Sequence, residues 1–188
     1  MKEVVSRNAY KKHLRIALIA ATLFGLATIL VVLLFNASGN PTIYSIAAGF
    51  SYTGNDVFLL TSNALIIGWA WRKRLHSVIK PMLWMNFFVW LSVHLIKLVP
   101  FGKWALRPGD FPGGFPSGHA THAFVMAYAL TSCFPRFWWL WNAIAAVISW
   151  SRVEVGDHTG LQVTVGVCFG ILIAWTFTSR WIKLEEGD

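Results

Sequence analysis

Two short motifs each place a histidine next to groups that could hold an anion. In the first, Pro116-Ser117-Gly118-His119, the serine follows a loop rich in proline and glycine and precedes an apolar segment. Ser117 is therefore predicted to be a helix N-cap, with Gly118 and His119 in the first turn. A helix start offers unpaired N–H groups and a partial positive charge. A histidine beside it can donate or accept a proton near neutral pH.

The second motif runs from Ser151 to His158 and brings charge abruptly into an apolar segment. Burying Arg152 without a partner is costly, so its guanidinium needs a carboxylate or a bound anion. Glu154 and Asp157 are the candidate partners, although neither lies at the i+4 position that shares its helical face. This motif therefore supplies a cation and a second histidine to the same kind of site.

The elements that must position these motifs are predicted to be membrane-spanning helices. The 188 residues are 56% hydrophobic and only 13% charged, which is too apolar for a soluble domain of this size. Long charge-free runs can each hold a span of about 20 residues. We therefore predict an all-α fold, a single domain over residues 1–188 made of a six-transmembrane-helix bundle. The predicted spans are 15–35, 53–72, 79–98, 118–134, 138–155 and 159–179.

The distribution of the +8 net charge predicts the orientation of this bundle and argues against nucleic acid as a partner. Twelve basic residues fall on one side, which the positive-inside rule makes the cytoplasm. They are Lys2, Arg7, Lys11, Lys12, Arg15, Arg72, Lys73, Arg74, Lys80, Arg136, Arg180 and Lys183. Both termini are then cytoplasmic in an inner (plasma) membrane protein. The four other basic residues, Lys97, Lys103, Arg107 and Arg152, map to the extracytoplasmic face, beside both histidine motifs.

Together these residues predict a phosphate site with two histidines at the extracytoplasmic membrane surface. Phosphoryl transfer needs positive charge on the non-bridging oxygens, an in-line nucleophile and a proton for the leaving group. The arginines and the amides of Ser117, Gly118 and His119 can supply the positive charge and the donors. The sequence offers no cluster of carboxylates for Mg²⁺, so we expect a route without a metal or another cofactor.

At these residues the sequence resembles the type-2 phosphatidic acid phosphatase superfamily. Its three signature blocks match Lys97 with Arg107-Pro108, then Pro116-Ser117-Gly118-His119, then Ser151-Arg152 with His158. The resemblance implies that His158 is the nucleophile, which forms a phosphohistidine. It implies that His119 protonates the leaving oxygen and then activates water. Phosphate binding would fall to Lys97, Arg107, Ser117, Gly118 and Arg152.

The sequence departs from the pattern of that superfamily in two places. The first block usually has six residues between the lysine and Arg-Pro, whereas Lys97 has nine and Lys103 has three. Lys97 is the preferred match because it ends a predicted span, and the surplus residues would then bulge out around 100–106. The second departure is Gln162, where many members carry an aspartate that orients the nucleophilic histidine. A glutamine carbonyl can still accept the ring N–H, although it stabilises a charged ring less.

Several other residues carry weaker expectations. His94 and His122 are interpreted as packing or supporting histidines, and Asp56 as a structural residue at the start of the second span. A helical apolar pattern at Ile43, Ile46, Ala47 and Phe50 predicts a short helix on the membrane surface.

The resemblance implies a membrane phosphatase that acts on a lipid phosphate or diphosphate. The implied substrates are undecaprenyl diphosphate, phosphatidylglycerol phosphate, phosphatidic acid and lipid A 1-phosphate. Two alternatives use the same site: a phosphotransferase in which a lipid replaces water as the acceptor, and a catalytically silent protein that only binds lipid phosphates.

Overall fold

The computed structural model describes the backbone of residues 2–184 and the side chains of residues 10–179, and this part of the chain is helical. The side chains of Lys2, Arg7, Arg180 and Lys183, which the charge pattern assigns to the cytoplasm, lie outside the described residues. The α-helices are α1 (Lys2–Leu34), α2 (Pro41–Ala48), α3 (Asn55–Arg72), α4 (His76–Lys97), α5 (Gly118–Cys133), α6 (Trp138–Glu154) and α7 (Gly160–Leu184). A π-helix (Gly49–Gly54) joins α2 to α3, and 3-10 turns occur at Lys103–Ala105 and Pro135–Phe137.

The all-α prediction is confirmed, and a long helix lies at each of the six predicted spans. Within the described residues, three helical segments are long and apolar enough to cross a membrane: Tyr10–Leu34, His76–Lys97 and Gly160–Ser179. The helices α3, α5 and α6 have 18, 16 and 17 residues, which is short for a span of about 20 residues. The count of six spans therefore stays a prediction.

Helix α5 forms the centre of the bundle, with 13 of its 16 residues buried. A helix without charged residues can be enclosed in this way because it has no ionised side chain to desolvate. The helix α1, at the outside of the bundle, instead exposes many of its apolar side chains. In α1, apolar side chains such as Ile19, Leu23 and Leu30 are more than half exposed, as expected of a surface that faces lipid.

Two glycines on α7 allow it to approach the start of α5 closely. A Cβ atom built at Gly166 would lie 2.6 Å from the carbonyl oxygen of Ser117, and one built at Gly170 would lie 2.5 Å from that of Thr121. Small residues four apart are typical of tightly packed membrane helices. Since Ser117 belongs to the first histidine motif, this contact fixes the position of that motif relative to α7.

The short helix predicted in this region is present as α2, and its apolar side chains are only partly buried, while its position on the membrane surface stays a prediction. Asn40 caps it, because its Oδ1 atom accepts hydrogen bonds from the N–H groups of Thr42 and Ile43 at 2.9 and 3.3 Å. Ala47 is buried, whereas Ile46 is 55% exposed and therefore does not pack on the bundle as a core residue. The π-helix that follows α2 brings Ser51 into the interior of the protein.

The substitution Gly166→Ala is expected to destabilise the protein. The added methyl group meets the backbone of α5, which cannot move away as a side chain could, and overpacking of this kind costs about 1–3 kcal/mol. Thermal unfolding in detergent should show a transition several degrees lower. Gly68→Ala is the matched control, because nothing lies within 4 Å of a Cβ atom built there. Equal transition temperatures for the two variants would contradict the proposed helix contact.

Candidate active site

Ser117 begins α5 but does not cap it in the predicted way. Its backbone is extended, with φ −68° and ψ 109°, and its side chain makes no capping hydrogen bond. The hydroxyl is buried without a hydrogen-bond partner among the described residues. Its N–H group donates to the carbonyl oxygen of Gln162 at 3.0 Å, so this amide, which was expected to contact an anion, already has a partner on α7. The amides of Gly118 and His119 remain in the first turn, where N–H groups have no partner within the helix.

His158 lies in the turn between α6 and α7, is 2% exposed, and has one ring nitrogen engaged. Its Nδ1 atom lies 2.8 Å from the carbonyl oxygen of Gly114 and 3.2 Å from Oε1 of Gln162. Both partners are acceptors, so Nδ1 must carry the hydrogen in the neutral ring. The lone pair is then on Nε2, which leaves this nitrogen able to act as a nucleophile or a base.

Gly114 has to be a glycine for this contact to form. A Cβ atom built there would lie 2.8 Å from the carbonyl oxygen of Ala105, 2.8 Å from Nε2 of Gln162 and 2.9 Å from the N atom of Arg107. Any side chain at this position would push apart the loop that brings the Gly114 carbonyl to the histidine ring.

Arg152 is 3% exposed and is held by three groups from two parts of the chain. Its Nη2 atom forms an ion pair with Asp157 at 2.8 Å, although sequence spacing had placed this carboxylate off its helical face. Its Nη1 atom donates to Ser51, both to the hydroxyl and to the carbonyl oxygen. The ring centroid of Tyr52 lies 5.8 Å from the guanidinium carbon. The chain turns back at the end of α6, where the N–H group of Asp157 donates to the carbonyl oxygen of Arg152 at 3.2 Å. This turn brings the Asp157 carboxylate next to the Arg152 guanidinium.

The predicted phosphate-binding cations meet around the two histidines. The charges of Arg152, Arg107 and Lys97 all act on His158, and those of Arg152 and Lys97 also act on His119. A Cβ atom built at Gly118 would lie 3.8 Å from Nζ of Lys97, which places that ammonium group beside the start of α5. Lys103, the alternative lysine, lies exposed in the 3-10 turn.

The other candidate residues take supporting positions. His94 is exposed, and its Nδ1 atom bonds the carbonyl oxygen of Trp90 on its own helix at 2.7 Å. His122 bonds the Gly118 carbonyl oxygen within its own helix at 2.9 Å.

Glu154 links the end of α6 to the loop before α2. Its carboxylate accepts hydrogen bonds from the Ser38 N–H at 3.0 Å and from the Ser38 hydroxyl at 2.5 Å. In the part of the chain that the structure describes, no group of three His, Cys, Asp or Glu side chains is placed to hold a metal ion.

Three residues that contact or influence Arg152 and His119 were not predicted to be site residues from the sequence. Ser51 and Tyr52 lie about 100 residues before Arg152, on the π-helix, and no motif connects them to it. Asp56 acts electrostatically on His119 from the start of α3. Only Asp56 gave a sequence signal, as a carboxylate at the end of an apolar run, and that signal was interpreted as structural.

Burial is the main influence on the proton affinity of His158. Together with the positive charges of Arg152 and Arg107, burial lowers the pKa of His158 to about 3. The ring is therefore neutral throughout the physiological pH range, and its Nε2 lone pair is permanently available.

Comparison with known proteins adds independent information about the chain. Residues 57–185, more than half of the sequence, match the model of the PAP2 superfamily. The lipid A 4'-phosphatase of Helicobacter pylori is 39% identical over 74 residues, which cover 36% of this chain and 35% of that protein. The undecaprenyl-diphosphatase of Sulfolobus acidocaldarius is 34% identical over 86 residues, which cover 43% of this chain and 42% of that protein. Each alignment thus spans less than half of the relative. No solved structure matches the chain at the significance that these two relatives reach.

The depressed pKa of His158 predicts how stability depends on pH. Between pH 6.5 and about 3 the unfolded chain binds a proton at this residue that the folded chain does not, so stability falls as the pH falls. The His158→Asn variant lacks this pH-dependent contribution to stability, because asparagine does not titrate in this range. Relative to the variant, the wild type should lose about 1.4 kcal/mol of unfolding free energy per pH unit below 6.5. Thermal unfolding of both proteins in detergent at pH 7.5 and 5.0 measures the difference, and a difference independent of pH would contradict the buried, neutral ring.

Proposed function

Because the chain belongs to the PAP2 superfamily, we propose that it is an integral-membrane phosphatase that hydrolyses a phosphate or diphosphate monoester of a lipid. The proposal includes a six-span bundle in an inner (plasma) membrane, with both termini in the cytoplasm and the site at the extracytoplasmic surface. It also includes a reaction that needs no metal ion.

The observation that carries the proposal is a set of buried donors without partners. The Nε atoms of Arg107 and Arg152 and the hydroxyl of Ser117 are buried and have no hydrogen-bond partner among the described residues. Leaving such groups unpaired costs about 1–3 kcal/mol each, and more when they are charged. A phosphoryl group, with its acceptor oxygens and its negative charge, would satisfy all three at once.

The first chemical step follows from the free Nε2 atom of His158. Its lone pair attacks phosphorus and forms an N–P bond while the bond from phosphorus to the leaving oxygen breaks. His119 donates its proton to that oxygen, so the product leaves as an alcohol or as a phosphate monoester. The carbonyl oxygen of Gly114 stabilises the Nδ1–H group as the ring becomes positively charged.

The second step regenerates the enzyme. His119, now neutral, takes a proton from water, whose oxygen attacks phosphorus as the N–P bond breaks. The electron pair of that bond returns to Nε2, and inorganic phosphate is the product. Lys97, Arg107 and Arg152 would stabilise the charge on the equatorial oxygens in both steps. Asp157 and Ser51 hold Arg152 in advance, so the cation need not reorganise during the reaction.

The substrate class is a lipid whose phosphate reaches the headgroup level. The names of the two relatives point to a lipid A phosphate and to a polyprenyl diphosphate. Phosphatidylglycerol phosphate and phosphatidic acid fit the same chemistry, since the site recognises the phosphoryl group and the tail remains in the membrane. Transfer to a lipid acceptor instead of water is the second candidate, because the same phosphohistidine would serve both reactions.

Phosphate release from these four lipids by the detergent-solubilised protein, with EDTA present, tests the proposal. His158→Ala is expected to lower kcat/KM at least about 1,000-fold, because the nucleophile is lost. His119→Ala should lower it about 100- to 10,000-fold, the usual contribution of a general acid. Full activity of His158→Ala would exclude the phosphohistidine, and loss of wild-type activity in EDTA would exclude the metal-independent route.

The two candidate lysines provide a matched pair within the same experiment. Lys97→Met should lower kcat/KM about 10- to 100-fold, the value of one charge-assisted hydrogen bond. Lys103→Met should leave it within about twofold, because this side chain is exposed. The reverse result would move the phosphate-binding role to Lys103.

A further inference from the structure

We propose that Gln162 is a positioning residue that locks the nucleophile and the loop bearing Arg107 to one another. Its side-chain carbonyl oxygen orients His158, and its side-chain NH₂ group fixes the backbone that precedes Arg107. What these two residues do in the reaction rests on the proposed function, whereas the coupling between them is a property of the hydrogen-bond network.

The network uses every polar group of the glutamine side chain. Gln162 is 0% exposed. Its Oε1 atom accepts from the Thr159 N–H at 3.2 Å and lies 3.2 Å from Nδ1 of His158. Its Nε2 atom donates to the carbonyl oxygen of Leu106 at 2.6 Å and to that of Trp104 at 3.2 Å. Two carbonyl oxygens can only accept, so the orientation of the amide follows from its partners.

The bond to Leu106 bears directly on Arg107. The carbonyl of Leu106 and the N–H of Arg107 belong to one peptide unit, and this N–H donates to the Phe111 carbonyl oxygen at 2.7 Å. Both polar groups of that peptide are therefore held, which fixes the plane from which the Arg107 side chain departs. The Nε atom of this arginine is one of the buried donors without a partner.

The backbone of Gln162 extends the same role to α5. Its carbonyl oxygen accepts the N–H of Ser117 at 3.0 Å, so one residue contacts all three motif-bearing segments. The ring centroids of Trp104 and Phe115 lie 4.8 Å apart. The loop at residues 103–106 is therefore held by a ring contact as well as by the glutamine amide.

This geometry connects the two departures from the sequence pattern of the superfamily. The surplus residues between Lys97 and Arg107 are expected to bulge outwards, but the structure turns two of their carbonyl groups, those of Trp104 and Leu106, inwards onto Gln162. A carboxylate at this position could accept from His158 but could not donate to either carbonyl. The amide of Gln162 therefore holds the loop and the histidine together, which a carboxylate could not do.

Orthovanadate binding to the purified protein in detergent at pH 7.5, measured by calorimetry, tests the coupling. The four proteins are the wild type, Gln162→Glu, Arg107→Ala and the double variant. The glutamate keeps the acceptor oxygen and loses the donors. We expect Gln162→Glu to weaken vanadate binding at least tenfold more in the wild-type background than in the Arg107→Ala background, because repulsion of vanadate by the added carboxylate is common to both backgrounds. Thr164→Val is the control on the same helix, since this hydroxyl has no partner among the described residues.

A second readout separates positioning from general loosening of the fold. The carboxylate of Gln162→Glu should raise the pKa of His158, so the acidic limb of the kcat/KM profile should move to higher pH. Gln162→Met, which neither donates nor accepts, should lose vanadate affinity in the same Arg107-dependent way without that shift. It also serves as the test if Gln162→Glu does not fold.

Wild-type affinity in Gln162→Glu, or an equal loss in both backgrounds, would overturn the inference. Absence of vanadate binding by the wild type would overturn it together with the phosphate site. Vanadate binding without release of phosphate from any lipid would instead reject the proposed function, and the four affinities would still decide the coupling.

Discussion

The hydrogen bond from Nδ1 of His158 to the carbonyl oxygen of Gly114 is the contact on which the rest of the site depends. At 2.8 Å, and deep in the protein, it selects one tautomer of the ring and leaves the lone pair on Nε2. A backbone carbonyl cannot be protonated near neutral pH, so this selection is insensitive to pH. It also requires Gly114 to sit against Ala105 and Arg107, which is why the loop before α5 must fold tightly over α7.

The second constraint is the cost of burying positive charge without an anion. Arg152 is almost fully buried, and one carboxylate and one serine offset part of its desolvation. The Nε atoms of Arg152 and Arg107 have no hydrogen-bond partner among the described residues, and neither has the hydroxyl of Ser117. A site in this condition stores unfavourable energy that a phosphoryl group would relieve, so the preorganised charge favours binding of a dianion and of the transition state alike.

The sequence predicted the parts of this account that depend on local patterns. Charge-free runs identified the long helices, because the cost of desolvating ions excludes charged residues from the interior of a bundle. The spacing of Arg152 and His158 in the sequence indicated that both are candidate site residues. Sequence could not predict that Asp157 would turn back onto Arg152, because that contact depends on how α6 ends.

Contacts between distant segments were the least accessible to prediction. Ser51 reaches Arg152 through the π-helix, an irregular element that no local pattern indicated. The Ser117 amide was predicted to face an anion. In the structure α7 packs closely against Ser117 at Gly166, and the Ser117 N–H donates its hydrogen bond to the carbonyl oxygen of Gln162. In both cases tertiary packing decided which partner a polar group found.

The most direct test of the central claim is to determine which nitrogen carries the phosphoryl group during turnover. Rapid quenching of the wild type with a radiolabelled lipid phosphate under alkaline conditions, followed by peptide mapping, would locate it. The hydrogen bond to Gly114 predicts phosphate on Nε2 of His158. Phosphate on Nδ1 of this residue, on His119, or on neither histidine would contradict the account.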